Sequence, residues 1–138
     1  MADYEKFGTA LIPHADVGIE VATARKETYS PDSRKPEVVS CSVSEDMSRR
    51  DFTVNAIAAS ILPESFGDLI DPFCGIQDMQ KGLLVTPLNP DDTFSDDPLR
   101  MMRAVRFAAQ LEFTIVPHVL ESISRQKDRL EIISWERI

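Results

Sequence analysis

The chain has 138 residues, 43% of them hydrophobic and 28% charged, with 15 Lys and Arg against 23 Asp and Glu for a net charge of −8. Such a composition belongs to one folded domain, or to a small domain with the start of another, and excludes wholesale disorder and a surface that grips nucleic acid all over. No apolar stretch approaches the roughly 20 residues of a bilayer span, and Met1 to Lys6 is acidic with no apolar leader core, so the expectation is a cytoplasmic protein without a membrane partner.

Gly8 to Ile12 is short and apolar, and Gly18 to Ala24 alternates with the period of a half-buried strand. The turn-prone His14-Ala15-Asp16-Val17-Gly18 between them predicts an antiparallel hairpin. Lys26 to Ser40 is polar, carries Pro31 and Pro36, and reads as a long mobile loop. Ser42-Val43-Ser44-Glu45 has capping-box spacing and opens a predicted helix to about Ala59. Cys41 and Cys74 lie 33 positions apart without a CxxC pair, the pattern of free, partly buried thiols rather than of zinc or a disulfide framework.

Asp68 to Asp71 is a short strand ended by Pro72, Gly75 to Gly82 a short helix, and Leu83 to Thr86 another strand. After Asp91 no convincing strand is expected, and helical periodicity covers Pro98 to Leu111 and Pro117 to about Gln126. A boundary is placed near Pro87–Pro90, with mixed α/β character before it and helices after it. Two or three strands and one good helix do not close an α/β domain. The layout therefore reads as a piece whose front is missing.

Three segments carry chemistry. Arg49-Arg50-Asp51-Phe52-Thr53-Val54-Asn55-Ala56, expected on the helix, sets two planar guanidinium forks for polyphosphate beside a carboxylate that can accept from a ribose hydroxyl. The plain alternative is a solvated charged turn. Leu69 to Gly82, with Asp71-Pro72 and two glycines, is a shaped turn that could hinge two layers or simply connect them.

The third segment is Asp96-Asp97-Pro98-Leu99-Arg100-Met101-Met102-Arg103-Ala104-Val105-Arg106-Phe107. Pro98 with acids beside it starts a helix. Met101, Ala104, Val105, Ala108 and Leu111 share one face and are the expected core. Arg100, Arg103 and Arg106 recur every third residue, stepping by about −60°, and form a basic stripe curling away from that face. Asp97 and Arg100 lie one turn apart, which is at least a surface ion pair worth a few tenths of a kcal/mol. A carboxylate only accepts and a guanidinium only donates. Cytosine and adenine each present an amine donor beside a ring-nitrogen acceptor, whereas guanine and uracil present the reverse. An Asp97/Arg100 pair would therefore accept C and A and reject G and U, with the following arginines on the triphosphate.

These segments, in this order and spacing, resemble the class II tRNA nucleotidyltransferases, the CCA-adding enzymes, and the related bacterial poly(A) polymerases. The family's Arg-Arg-Asp-[hydrophobic]-Thr-x-Asn-[small] motif corresponds to Arg49–Ala56. Its Asp-Pro-[aromatic]-x-Gly turn corresponds to Asp71–Gly75, with Cys74 where Gly or Asn is frequent. Its Glu-Asp-x-x-Arg motif corresponds to Asp96–Arg100, with Asp96 for the Glu.

The resemblance implies an α/β fold: a partial nucleotidyltransferase head over residues 1–88, with a small mixed or antiparallel sheet and helices, followed by the start of a helical, nucleotide-selecting neck over 89–138. It implies Arg50, Arg103 and Arg106 on phosphates and ribose, Asp51 near the sugar, and Asp97 and Arg100 at the base edge. Glu20 falls where the family keeps an acid beside its metal-binding pair. The implied reaction adds C and A from CTP and ATP to the 3′ end of tRNA with release of pyrophosphate and the help of Mg²⁺. The alternatives are poly(A) synthesis on another RNA 3′ end, or a non-catalytic nucleotide- or RNA-binding module. The family's Gly-Gly-x-x-Arg-Asp loop and metal-binding Asp-x-Asp pair do not occur in this sequence, so the chain alone is expected to bind nucleotide weakly and not to catalyse.

Overall fold

The alternating segments near the start form an antiparallel sheet of three strands in the order β1 (Ala2–Tyr4), β2 (Thr9–His14) and β3 (Val17–Ala22), with Leu11 opposite both Ala2 and Glu20. The structure is a computed structural model that describes residues 2–4, 9–14, 17–28 and 37–134. The expected β2–β3 hairpin is present, while Ala15 and Asp16 of its turn lie outside the described residues.

The segment Lys26–Ser40 is not loop throughout. Its ends form a ladder between β4 (Arg25–Thr28) and β5 (Glu37–Ser40), with Lys26 opposite Val39. The β-branched pair Val38-Val39 is a local strand signal within this polar stretch of sequence. Residues 29–36 of the expected loop lie outside the described residues.

The capping box forms as its spacing requires: Ser42 N–H donates to Glu45 Oε2 at 3.0 Å, and Glu45 N–H to Ser42 Oγ at 3.2 Å. The helix it opens, α1 (Val43–Ser48), stops eleven residues short of the expected Ala59. Phe52 is extended (φ −134°, ψ 151°), Thr53–Asn55 is a single 3-10 turn, and Ala58–Ala59 is β6, paired antiparallel with β7 (Leu69–Ile70). Asp51 causes the break. Its carboxylate draws in the Phe52 N–H, and the Thr53 N–H leaves the helix for the Val85 carbonyl at 2.8 Å.

The chain divides into two units, Met1–Asp46 and Met47–Ile138. In the second, α2 (Gly75–Lys81) starts and ends where its glycines predict, with Gly82 in the left-handed region at φ 65°. β8 (Leu83–Leu84) follows. α3 (Pro90–Asp96) begins at Pro90, with the Asn89 side chain accepting the Asp91 N–H. α4 (Leu99–Leu111) and α5 (Pro117–Gln126) occupy the two segments read as helical. Between them β9 (Thr114–Ile115) pairs in parallel with β8, against the expectation of no strand after Asp91. A ladder two residues long has no periodicity to betray it; it exists because Phe113 and Ile115 pack on the core.

Two adjoining clusters make that core. Phe52, Leu84 and Ala104 are fully buried in one, with Phe107, Ala108 and Phe113 against them; Phe94, Met101 and Val119 form the other, and Ile115 and Ile123 touch both. Residues on either side of Pro87–Pro90 thus share one interior. Met101 and Ala104 are core as expected, but Val105 (56% exposed) and Leu111 (48%) are not. The buried arc of α4 is centred between Ala104 and Phe107. Val105 falls about 100° from Ala104, beyond the arc's edge, and Leu111 sits in the last turn. Among the described residues no helix is long and apolar enough to cross a membrane.

Candidate functional site

Residues 49–56 form a knuckle held from several sides. Asp51 is 7% exposed. Its Oδ1 accepts from the Phe52 N–H (2.9 Å) and from Asn55 Nδ2 (3.0 Å), and its Oδ2 from Arg103 Nε (2.7 Å) on α4. Three of the roughly four acceptor positions of the carboxylate are filled, leaving one on Oδ2. Thr53 is fixed by its hydroxyl on Asp78 Oδ2 (2.7 Å) and by its carbonyl against Gly75, where a Cβ would collide with that oxygen and approach Ile57 Cγ1 to 2.9 Å. Gly75 therefore lets α2 press onto the knuckle. Both oxygens of Asp71 cap that helix, accepting from the N–H groups of Gly75 (2.7 Å) and Ile76 (3.0 Å).

On α4 the three arginines are held differently. Arg100 donates through Nη1 to the Thr93 carbonyl (3.2 Å) and through Nη2 to the Arg49 carbonyl (2.8 Å), so the second arginine-bearing segment is joined to the first. Two of its five N–H donors are used in these bonds. Asp97 heads the same helix, its Oδ1 accepting from the Leu99 N–H (3.1 Å) and its carbonyl from the Arg100 N–H (3.1 Å). Arg103 combines its ion pair to Asp51 with a position 5.0 Å from the Phe107 ring centroid, and Arg106 lies 5.2 Å from that centroid. Phe107 in turn meets Phe52 edge-to-face at 6.0 Å and 88°.

Arg50 is exposed, with Nη1 3.5 Å from the Asn55 carbonyl. Glu20 belongs to the first unit, where it is exposed on β3. Cys41 is half-buried, but Cys74 is exposed, and both are free thiols; Cys74 was expected to be partly buried, yet it projects from a left-handed turn at φ 59°. Among the described residues no three His, Cys, Asp or Glu side chains gather as ligands would. The side chains among the described residues thus do not fit the Mg²⁺ that the resemblance implies.

The sequence alone did not mark the Asp91 cluster. Asp91, on α3, accepts from the fully buried Ser122 hydroxyl and from Arg125 Nη2 (2.8 and 2.9 Å) on α5, while Gln126 Nε2 donates to its carbonyl (3.1 Å). The Ser122 hydroxyl first, and then the Arg125 guanidinium, hold the Asp91 carboxyl below the usual carboxylate range. The cluster fixes α3, which presents the Thr93 carbonyl to Arg100. Phe107 and Thr53 stand in the motif segments without a role of their own in sequence, and Gly75 is marked there as a turn residue and not as the contact point for Thr53. An aromatic residue one and four positions after two arginines was the available signal for Phe107.

Residues 1–85 match the family described as the poly A polymerase head domain. A CCA-adding enzyme of Limosilactobacillus reuteri is 45% identical over 133 residues, covering 95% of this chain and 32% of that protein. One from Enterococcus faecalis is 43% identical over the same shares. Among solved structures, the Bacillus stearothermophilus CCA-adding enzyme in complex with CTP superposes with a TM-score of 0.81 at 36% identity, covering 96% of this chain and 31% of that one. A tRNA nucleotidyltransferase complexed with a primer tRNA and an incoming ATP analog gives 0.79 at 34%, covering 93% and 34%. The chain spans about a third of the length of the relatives it matches.

Proposed function

Since the chain belongs to the poly A polymerase head-domain family, we propose that it supplies the nucleotide-selecting part of an RNA 3′-end nucleotidyltransferase that adds C and A to tRNA. CTP and ATP are the donors, the RNA 3′-hydroxyl attacks the α-phosphate, and pyrophosphate leaves. In this reading residues 1–88 are head and 89–138 begin the neck. Asp97 and Arg100 meet the base edge, Arg50, Arg103 and Arg106 the phosphates, and the remaining Oδ2 position of Asp51 a ribose hydroxyl. Glu20 is the counterpart of the acid that the family keeps beside its metal-binding pair, and the working enzyme uses Mg²⁺ in the cytoplasm.

The observation that carries the reading is the junction at Arg100. Its guanidinium lies across the carbonyls of Thr93 and Arg49, which sets the motif that would read a base beside the motif that would hold its triphosphate. Backbone acceptors on both terminal nitrogens restrict the fork to one plane, as donor–acceptor discrimination requires. A poly(A) polymerase shares this base logic; the similarity to CCA-adding enzymes at 38–45% identity favours tRNA as the acceptor.

Binding of CTP, ATP, GTP and UTP to wild type and to Arg100→Ala tests the reading. A hydrogen bond to a charged group is worth about 1.5–3 kcal/mol, so wild type should prefer CTP and ATP by about tenfold or more and the variant should lose the preference. Equal binding of all four by wild type would remove it. Given Mg²⁺, CTP, ATP and tRNA, the 138-residue chain should incorporate nothing, and sustained incorporation would contradict the expectation that the chain alone does not catalyse.

A further inference from the structure

Phe107 has two guanidinium groups on its ring. The Cζ atoms of Arg103 and Arg106 lie 5.0 and 5.2 Å from its centroid, both inside the roughly 6 Å within which a cation is drawn to an aromatic face. The ring itself is anchored: it is half-buried, packs on the cluster of Phe52, Leu84 and Ala104, and presents an edge-to-face contact to Phe52. Two like charges brought to one ring repel each other, so the ring holds as neighbours two guanidinium groups that would otherwise separate. Arg103 has a second restraint in Asp51, whereas for Arg106, which is exposed, the ring is the contact the structure records.

We propose that Phe107 is a positioning residue, a platform that sets Arg103 and Arg106 as one receptor for the triphosphate of the incoming nucleotide. The proposal deepens the reading above and rests on it for the identity of the ligand. Its chemistry is independent of the base. A polyphosphate offers acceptor oxygens on successive phosphorus atoms, and two guanidinium forks held on one ring meet them without first losing side-chain freedom.

The test measures binding of inorganic tripolyphosphate and of the four nucleoside triphosphates to wild type, Phe107→Leu, Phe107→Met and Phe107→Tyr, with far-UV circular dichroism as a check of fold. Two exposed or half-exposed cation–π contacts correspond to about five- to thirtyfold in affinity. Leu and Met should weaken tripolyphosphate and all four nucleotides by that factor alike, while Tyr, which keeps the ring, should stay within about twofold of wild type. Met fills the space flexibly and stands in if Leu does not fold. In parallel, the Nε–H resonance of Arg106 should carry a ring-current shift in wild type and Tyr that disappears in Leu and Met.

Unchanged tripolyphosphate affinity in a folded Leu or Met variant overturns the proposal, as does a wild type that binds no tripolyphosphate. If wild type binds all four nucleotides equally but Leu weakens them together, base selection fails and the platform stands.

Discussion

Removing the Asp51 side chain should destabilise the second unit by about 1–4 kcal/mol. Asp51→Ala strands the Phe52 N–H, which belongs to a residue with no exposure at all, and an orphaned buried donor costs about 1–3 kcal/mol. The Arg103 side chain is 36% exposed, so its lost ion pair is discounted for solvent to about 1 kcal/mol or less. Asn55 is half-buried and can turn to water. Asp51→Asn keeps the Oδ1 acceptor but sets an amide N–H against Arg103 Nε, so it should cost less, about 1–2 kcal/mol. Arg103→Ala leaves a buried carboxylate with two donors but no cation, for about 1–2 kcal/mol. Because each single change already breaks the Asp51–Arg103 bond, the double variant should fall short of the sum by about 1 kcal/mol. Urea denaturation followed at 222 nm reads this unit, since α2–α5 all lie in it. An Asp51→Ala variant within about 0.5 kcal/mol of wild type, or equal in cost to Asp51→Asn, would refute the view that Asp51 is the internal brace of the knuckle.

Gly75→Ala should lose about 3 kcal/mol, because its Cβ meets the Thr53 carbonyl and neither α2 nor the knuckle can retreat without breaking the Thr53–Asp78 bond; a melting temperature unchanged from wild type would exclude that close approach. Cys74→Gly and Glu112→Gly should each raise stability by about 0.5–1 kcal/mol, since both residues hold a left-handed backbone, φ 59° and 58°, that costs a side-chain-bearing residue more than glycine. Equal or lower melting temperatures would count against this. The Asp91 carboxyl is held below its ordinary value by Ser122 and Arg125, so its contribution is complete above the unfolded-state value of about 3.9 and is lost as pH falls through the lower folded value. Asp91→Asn should therefore flatten the acid limb of the stability curve below about pH 4 and leave its slope near neutrality alone, as urea titrations across pH would read.

Elements whose ends are marked by local chemistry were legible. Pro117 starts α5, Gly75 and Gly82 bracket α2, and the Ser42–Glu45 box opens α1. What failed was decided by partners far away in sequence. The predicted helix from Ser42 to Ala59 has good local signals, but at Asp51–Thr53 a tertiary acceptor, the Val85 carbonyl, outweighs them. β9 exists only because Phe113 and Ile115 reach a core made by Phe52 and Leu84. Val105 was misplaced for a related reason: apolar residues spread over some 120° of α4, and periodicity does not say which edge of that arc faces the interior.

The candidate site shows the same division. Its residue types were legible as chemistry, because the proposed base and phosphate recognition needs acceptor-only and donor-only groups, which the sequence displays. Its internal order was not. Three arginines at equal spacing look equivalent in sequence, yet each step of about −60° carries the next one further from the core. Arg100 is pinned by two carbonyls, Arg103 by a buried carboxylate and a ring, and Arg106 by the ring. Restraint thus falls along the helix from Arg100 to Arg106. That order is what the proposed division of labour demands. Discrimination between bases depends on angles that a loose side chain cannot hold, whereas attraction of a polyanion depends mainly on distance and tolerates motion.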